Sequence, residues 1–161
     1  MRLFSYLQNG QVRSARLIGQ QGIDLFLASR LYLKSHIASK SRQRGILPGD
    51  LAELFRSGED ALQFAEDVTD WIIQDSEKRT VYLKTGLLFE VDKTSFVAPI
   101  VRPGKVICIA ENYPELNKPK LAAYPTVFLK PSGGVIGHHQ RIAIPEICKN
   151  VAYEVELGSK P

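Results

Sequence analysis

Glu154 and Glu156 stand two residues apart in the apolar run "VAYEVEL". On a strand, residues i and i+2 point to the same face. Two carboxylates held on one face repel each other unless water or a cation intervenes. The pair therefore reads either as a solvated strand face or as half of a site for a hard divalent cation, which takes carboxylate oxygens as ligands. Spacing alone leaves both readings open. The remaining reactive side chains offer less. Cys108 and Cys148 lie in the strand-like runs "KVICIA" and "IPEICKN" rather than in a CxxC, which suits buried reduced thiols. With His138 and His139 they lack zinc spacing. "GGVIG" is not a phosphate loop, because no Lys-Ser/Thr follows it. His36 reads as a solvated histidine on a helix.

The elements that must position these residues fall into two blocks. In the first, "RLFSYL" and "VRSARLI" flank Asn9-Gly10, a two-residue hairpin signal. "IDLFLA" reads as a third short strand, and residues 29–41 fit a helix loosely. In "LPGDLAELFRSG", Asp50 can cap a helix, Glu53 can reach back to it, and Gly58 can end it. "EDALQFAEDVTDWIIQDS" places Leu62, Ala65, Val68, Trp71 and Ile72 on one helical face, with acidic residues at the start to suit the helix dipole. After Glu77 come short strand-like runs: "TVYLK", "LLFEV", "SFVAPI", "KVICIA", "TVFLK", "RIAIP" and "VAYEVEL". Pro and Gly punctuate them, the pattern of a β unit. The reading is α+β: a small N-terminal α/β domain over residues 1–95, then a mainly-β unit over 96–161. The second unit is short for an independent sandwich or barrel.

Bulk properties narrow the function classes. With 161 residues, 44% hydrophobic and 24% charged, the composition is that of an ordinary globular protein. No apolar run reaches membrane-span length, and the start lacks a signal-peptide pattern, so a cytoplasmic address is the default. The net charge of +4 is unevenly spread: between Asp24 and Asp50 there is no acidic residue, but Arg30, Lys34, Lys40, Arg42 and Arg44 fall there. A nucleic-acid or membrane surface would carry such charge. No interleaved aromatics or helix-turn-helix pattern accompany it, so a solvated face and loop is the preferred reading.

Four ordered motifs carry a resemblance. "APIVRPGKVICIAENY", "TVFLKPSGGVIG", "RIAIP" and "YEVELG" resemble successive landmarks of the fumarylacetoacetate hydrolase family. The likeness is close over residues 96–158 and looser over 1–95, which resemble the small N-terminal domain of shorter bacterial members. It implies a β-rich roll that holds Mg²⁺, Mn²⁺ or Ca²⁺ through an E-x-E pair and a later Asp. It also implies a small-molecule substrate bearing a 2-oxo or enol acid; separately, the uncovered strands of residues 100–161 point to a homo-oligomer. The family chemistry is C–C hydrolysis, isomerisation or decarboxylation, which a metal assists by stabilising an enolate. On this pattern Glu154 and Glu156 are the first two metal ligands. Lys130, in "FLKP", borders the pocket, either neutralising a substrate carboxylate or forming a structural ion pair. His138-His139 fall where relatives have a Gly/Pro turn, which reads as an exposed turn ahead of a metal site.

The departures are as specific. The family's His, three after Tyr113, is replaced by Leu116, and its companion Glu would fall at Pro119 or be lost in a shortened stretch between Tyr113 and Phe128. The third metal ligand is expected some way beyond Glu156, where this sequence has stopped. Two expectations result: a metal-dependent enzyme of 2-oxo acids, or a truncated or degenerate non-catalytic member serving as a binding or oligomerisation module or left as a gene remnant.

Overall fold

Asn9 and Gly10 both take positive φ, 52° and 76°, the paired left-handed geometry that closes a two-residue hairpin. They join β1 (Leu3–Gln8) to β2 (Gln11–Ile18), whose register runs from Leu3 opposite Arg16 to Gln8 opposite Gln11. The computed structural model describes residues 1–36, 44–111, 123–153 and 155–158. The hairpin extends into an antiparallel five-stranded sheet. β3 (Gln21–Asp24) and β4 (Leu88–Glu90) follow beyond β2, and β5 (Ser95–Phe96) borders β1, in the order β4-β3-β2-β1-β5. Four helices complete this part: α1 (Leu25–Ser35), α2 (Leu51–Arg56), α3 (Glu59–Gln74) and α4 (Arg79–Lys84). The fold is α+β.

The two-residue period of the strands sorts the side chains onto two faces. Ile23 joins Leu25, Leu51, Leu54, Phe64, Val68 and Ile72 in the main core against the helices. Arg16 fastens β2 to α3, donating to Thr69 Oγ1 at 2.7 Å and Asp70 Oδ1 at 2.6 Å. The opposite face carries Phe4, Tyr6 and Ala15, packed with Phe89 and Phe96. Gly22 makes that packing possible, because a Cβ there would sit 2.5 Å from the Phe89 ring. Every buried residue among those described lies between Phe4 and Ala98.

Several local expectations change. "IDLFLA" is strand only through Asp24, whose carboxylate accepts the Leu27 backbone N–H at 2.7 Å and starts α1. A side-chain cap at this point diverts an apolar run into a helix. "TVYLK" lies within α4 rather than in a strand. The Asp75 carboxylate caps the preceding 3₁₀ turn, Ser76–Lys78, by accepting from Lys78 N at 3.3 Å, and it also accepts from the Tyr82 hydroxyl at 3.0 Å. Asp50 caps α2 as expected, accepting from Ala52 N and Glu53 N. Gly58, at φ 82°, stands between α2 and α3. Of the helical face foreseen in α3, Ala65, Val68 and Ile72 are buried, while Leu62 and Trp71 pack at its margin. His36 is half-buried rather than solvated, stacked on Tyr32 with ring centroids 4.1 Å apart. The helix expected over 29–41 starts at Leu25, and residues 37–43 lie outside those described.

Beyond Ala98, β6 (Val106–Ala110) and β7 (Thr126–Lys130) form a separate two-stranded antiparallel ladder, with Val106 opposite Lys130 and Ala110 opposite Thr126. "RIAIP" and the described part of "VAYEVEL" are not strands. An extended segment becomes a strand only by exchanging backbone hydrogen bonds with a neighbour, and these segments have none among the described residues. Among the described residues, no helix is long and apolar enough to cross a membrane.

Candidate metal-ligand segment

The residues singled out for chemistry all lie on or after β6. β7 delivers Lys130 at its end, where the ammonium sits 5.2 Å from the centroid of the Phe128 ring. Lys130 is exposed and makes no ion pair among the described residues. A 3₁₀ turn, Ser132–Gly134, then turns the chain back toward the five-stranded sheet. There Gly137 lies so close to β5's continuation that a Cβ would come 2.7 Å from Val97 Cα. His138 follows with its ring 6.2 Å from that of Phe96. His138 and His139 occupy an exposed turn with their rings 3.8 Å apart, as the sequence suggested. Cys148 is exposed and Cys108 half-buried, so neither is the buried thiol expected; both are free. β6 pairs along one edge with β7, and none of its residues is buried.

Glu156 is exposed and lines an open groove of about 580 Å³ together with Arg56, Arg102 and Lys105. Arg56 comes from the end of α2, while Arg102 and Lys105 come from the "VRPGK" segment leading into β6. Glu154 lies outside the described residues, as do Tyr113, Leu116 and Pro119. Lys130 does not line this groove. The three cations are what sequence reasoning missed. Arg102 and Lys105 lie within the motif "APIVRPGKVICIAENY", but nothing in the sequence signals that Arg56 joins them.

The fit to a divalent cation can be judged from these donors. Such an ion wants several oxygen ligands, and among the described residues no group of three or more His, Cys, Asp or Glu side chains converges. Among the described residues, Glu156 is the one carboxylate lining this groove, with three cations that favour an anion over a second cation. Among the described residues these donors do not by themselves make a divalent-metal site; Glu154, the other carboxylate of the motif, lies outside them.

A sequence model described as "Fumarylacetoacetate (FAA) hydrolase C-terminal" matches residues 105–159, the stretch from the start of β6 through the E-x-E pair. Over this stretch the chain is similar to the fumarylacetoacetate hydrolase family. This family generally works with divalent metals. The chain is 31% identical over 116 residues to the mitochondrial oxaloacetate tautomerase of Xenopus laevis, covering 70% of this chain and 32% of that protein. Its identity to the mitochondrial oxaloacetate tautomerase of Rattus norvegicus is 28% over 115 residues, covering 70% of this chain and 33% of the relative. An uncharacterized protein of Archaeoglobus fulgidus is 43% identical over 76 residues, 44% of this chain and 30% of its own length. The chain thus spans roughly a third of the length of these relatives.

Proposed function

We propose that this chain supplies the first part of a catalytic domain that isomerises 2-oxo acids between keto and enol forms. The observation that carries this reading is the alignment with the oxaloacetate tautomerase of Xenopus laevis, which reaches well beyond the segment that the family model matches. In such an isomerisation one proton leaves the carbon beside the oxo group and one is added to the oxo oxygen, so nothing is gained or lost overall. Lys130 is assigned to a substrate carboxylate, supported by its exposed ammonium and its lack of an ion-pair partner among the described residues. Glu154 and Glu156 are assigned as metal ligands of the whole domain, with Mg²⁺, Mn²⁺ or Ca²⁺ as the ion; the support is their place in the matched motif. Residues 1–95 are proposed as a separate N-terminal domain, residues 96–161 as part of the catalytic one, and the cytoplasm as the address. A homo-oligomer is part of this reading. Ile107, Ile109, Val127 and Leu129 leave one face of the β6–β7 ladder apolar and exposed, and sheet edges and faces of this kind invite association.

A second reading, a member of the family without catalysis of its own, is favoured by one observation: Leu116 stands where the family's His falls. General-base help of the kind a His supplies is worth about 10²–10⁴ in rate. The two readings separate in a chimera in which residues 105–159 of this chain replace their counterpart in the Xenopus laevis enzyme. Enol-to-keto conversion of oxaloacetate is then followed by absorbance, with the fold checked by circular dichroism. Activity that falls on Glu154→Ala and on Glu156→Ala supports the first reading. A folded chimera without activity that regains it on Leu116→His supports the second. Activity unaffected by either Glu substitution would refute the ligand assignment.

A further inference from the structure

The acid-free stretch after Asp24 acquires a meaning from its place in the fold. Leu27, Arg30, Leu31 and Lys34 follow one another at i, i+3, i+4 and i+7, so they form one stripe along α1. That stripe faces Val81, Tyr82 and Thr85 of α4 and its end, and the buried Leu87, across a groove of about 290 Å³. The floor is apolar, built from Leu27, Leu31, Val81 and Leu87, and Val81 is left 54% exposed. Cations sit on the rim. Lys78 is already engaged, its ammonium 2.6 Å from Asp75 Oδ2. Arg30 and Lys34 are exposed and make no ion pair among the described residues.

We propose that this groove between α1 and α4 binds a small carboxylate with an apolar body, the body on the Leu27–Leu31–Val81–Leu87 floor and the carboxylate at Arg30 and Lys34. The chemistry follows from the two parts of the site. An apolar concavity of about 300 Å³ is at the small end of ligand sites, which use apolar walls for affinity and a few polar groups for orientation. Two cations without an ion-pair partner among the described residues, set beside such a floor, select an anion, and the guanidinium of Arg30 can meet a carboxylate with two parallel hydrogen bonds. The groove is remote in sequence from the segment matched by the family and is independent of the function proposed above.

Octanoate is the probe, with octan-1-ol as its uncharged counterpart, titrated into the full chain and followed by amide chemical shifts. Saturable binding of octanoate is expected, with the shift changes concentrated on α1 and α4. The double variant Arg30→Glu/Lys34→Glu should weaken octanoate binding about fivefold or more, since each exposed charge pair contributes modestly, and should leave octanol binding unchanged. Val81→Trp, which fills the groove from an exposed position, should abolish binding of both. Melting temperatures confirm that each variant folds. No saturable binding, shift changes centred elsewhere, or octanoate affinity unchanged by the charge reversal would each overturn the proposal.

Discussion

Asp24 ends β3, caps α1 and lies fully buried, and its removal tests how this part of the fold is held. Its carboxylate accepts three hydrogen bonds: from Leu27 N at 2.7 Å, from the Tyr6 hydroxyl at 2.6 Å and from Arg13 Nη2 at 2.5 Å. Arg13 is itself only 14% exposed, lies over the Phe26 ring, and has a buried Nε without a partner among the described residues. Asp24→Ala therefore does two things. It deletes a helix cap, at about 1 kcal/mol, and it strands a mostly buried guanidinium. Breaking a buried pair from one side costs roughly 3–5 kcal/mol, and the residual exposure of Arg13 argues for the lower end. The expected loss is about 4 kcal/mol, a large share of the roughly 5–15 kcal/mol that holds a typical domain. Asp24→Asn keeps an oxygen for Leu27 N and should lose about 1 kcal/mol less. Urea titration followed by the fluorescence of Trp71, the single tryptophan, measures both. Removing the stranded charge as well, in Asp24→Ala/Arg13→Met, should recover part of the loss. A cost below about 1 kcal/mol for Asp24→Ala would refute the reasoning, because it would mean that Arg13 re-solvates freely.

Three further outcomes are expected. Burial and the Asp24 carboxylate raise the Tyr6 hydroxyl's pKa, and burial with the Asp75 carboxylate pushes Tyr82 up to about 12. The folded state thus holds these protons after the unfolded state has released them near pH 10. Stability should be full below about pH 10 and fall as pH rises toward 12, and the fall should be shallower in Tyr82→Phe when urea midpoints are compared. Asp50→Ala should cost about 1 kcal/mol in the same titration, because Asp50 accepts from Ala52 N at 2.7 Å and Glu53 N at 3.1 Å. Hydrogen exchange should be much faster across β6 and β7 than across β1 and β2, and Ile107→Lys/Leu129→Lys should reduce self-association in light scattering. Equal protection in a monodisperse monomer would show that the ladder's apolar face is covered within one chain.

Features fixed by a few neighbouring residues could be read from the sequence. The Asn9-Gly10 hairpin needs only two residues able to take positive φ, and the α2 cap needs only Asp50 ahead of a helical run. The periodicity of α3 likewise announced its buried face through Ala65, Val68 and Ile72. The likeness to the family was legible too, since ordered motifs are a property of the chain and need no fold to be seen. Tertiary structure decided the ambiguous apolar runs. "TVYLK" has the residue types of a strand, yet the Asp75 cap and the burial of Tyr82 make it a helix. "RIAIP" and "VAYEVEL" have the same types but no partner among the described residues, and a strand's hydrogen bonds belong to the pair rather than to the segment. Only the fold brings Arg56 into the groove of Glu156, or sets Arg30 and Lys34 beside Val81 and Leu87. Both juxtapositions join residues tens of positions apart, and a spacing rule confined to one helix or one strand cannot reach that far.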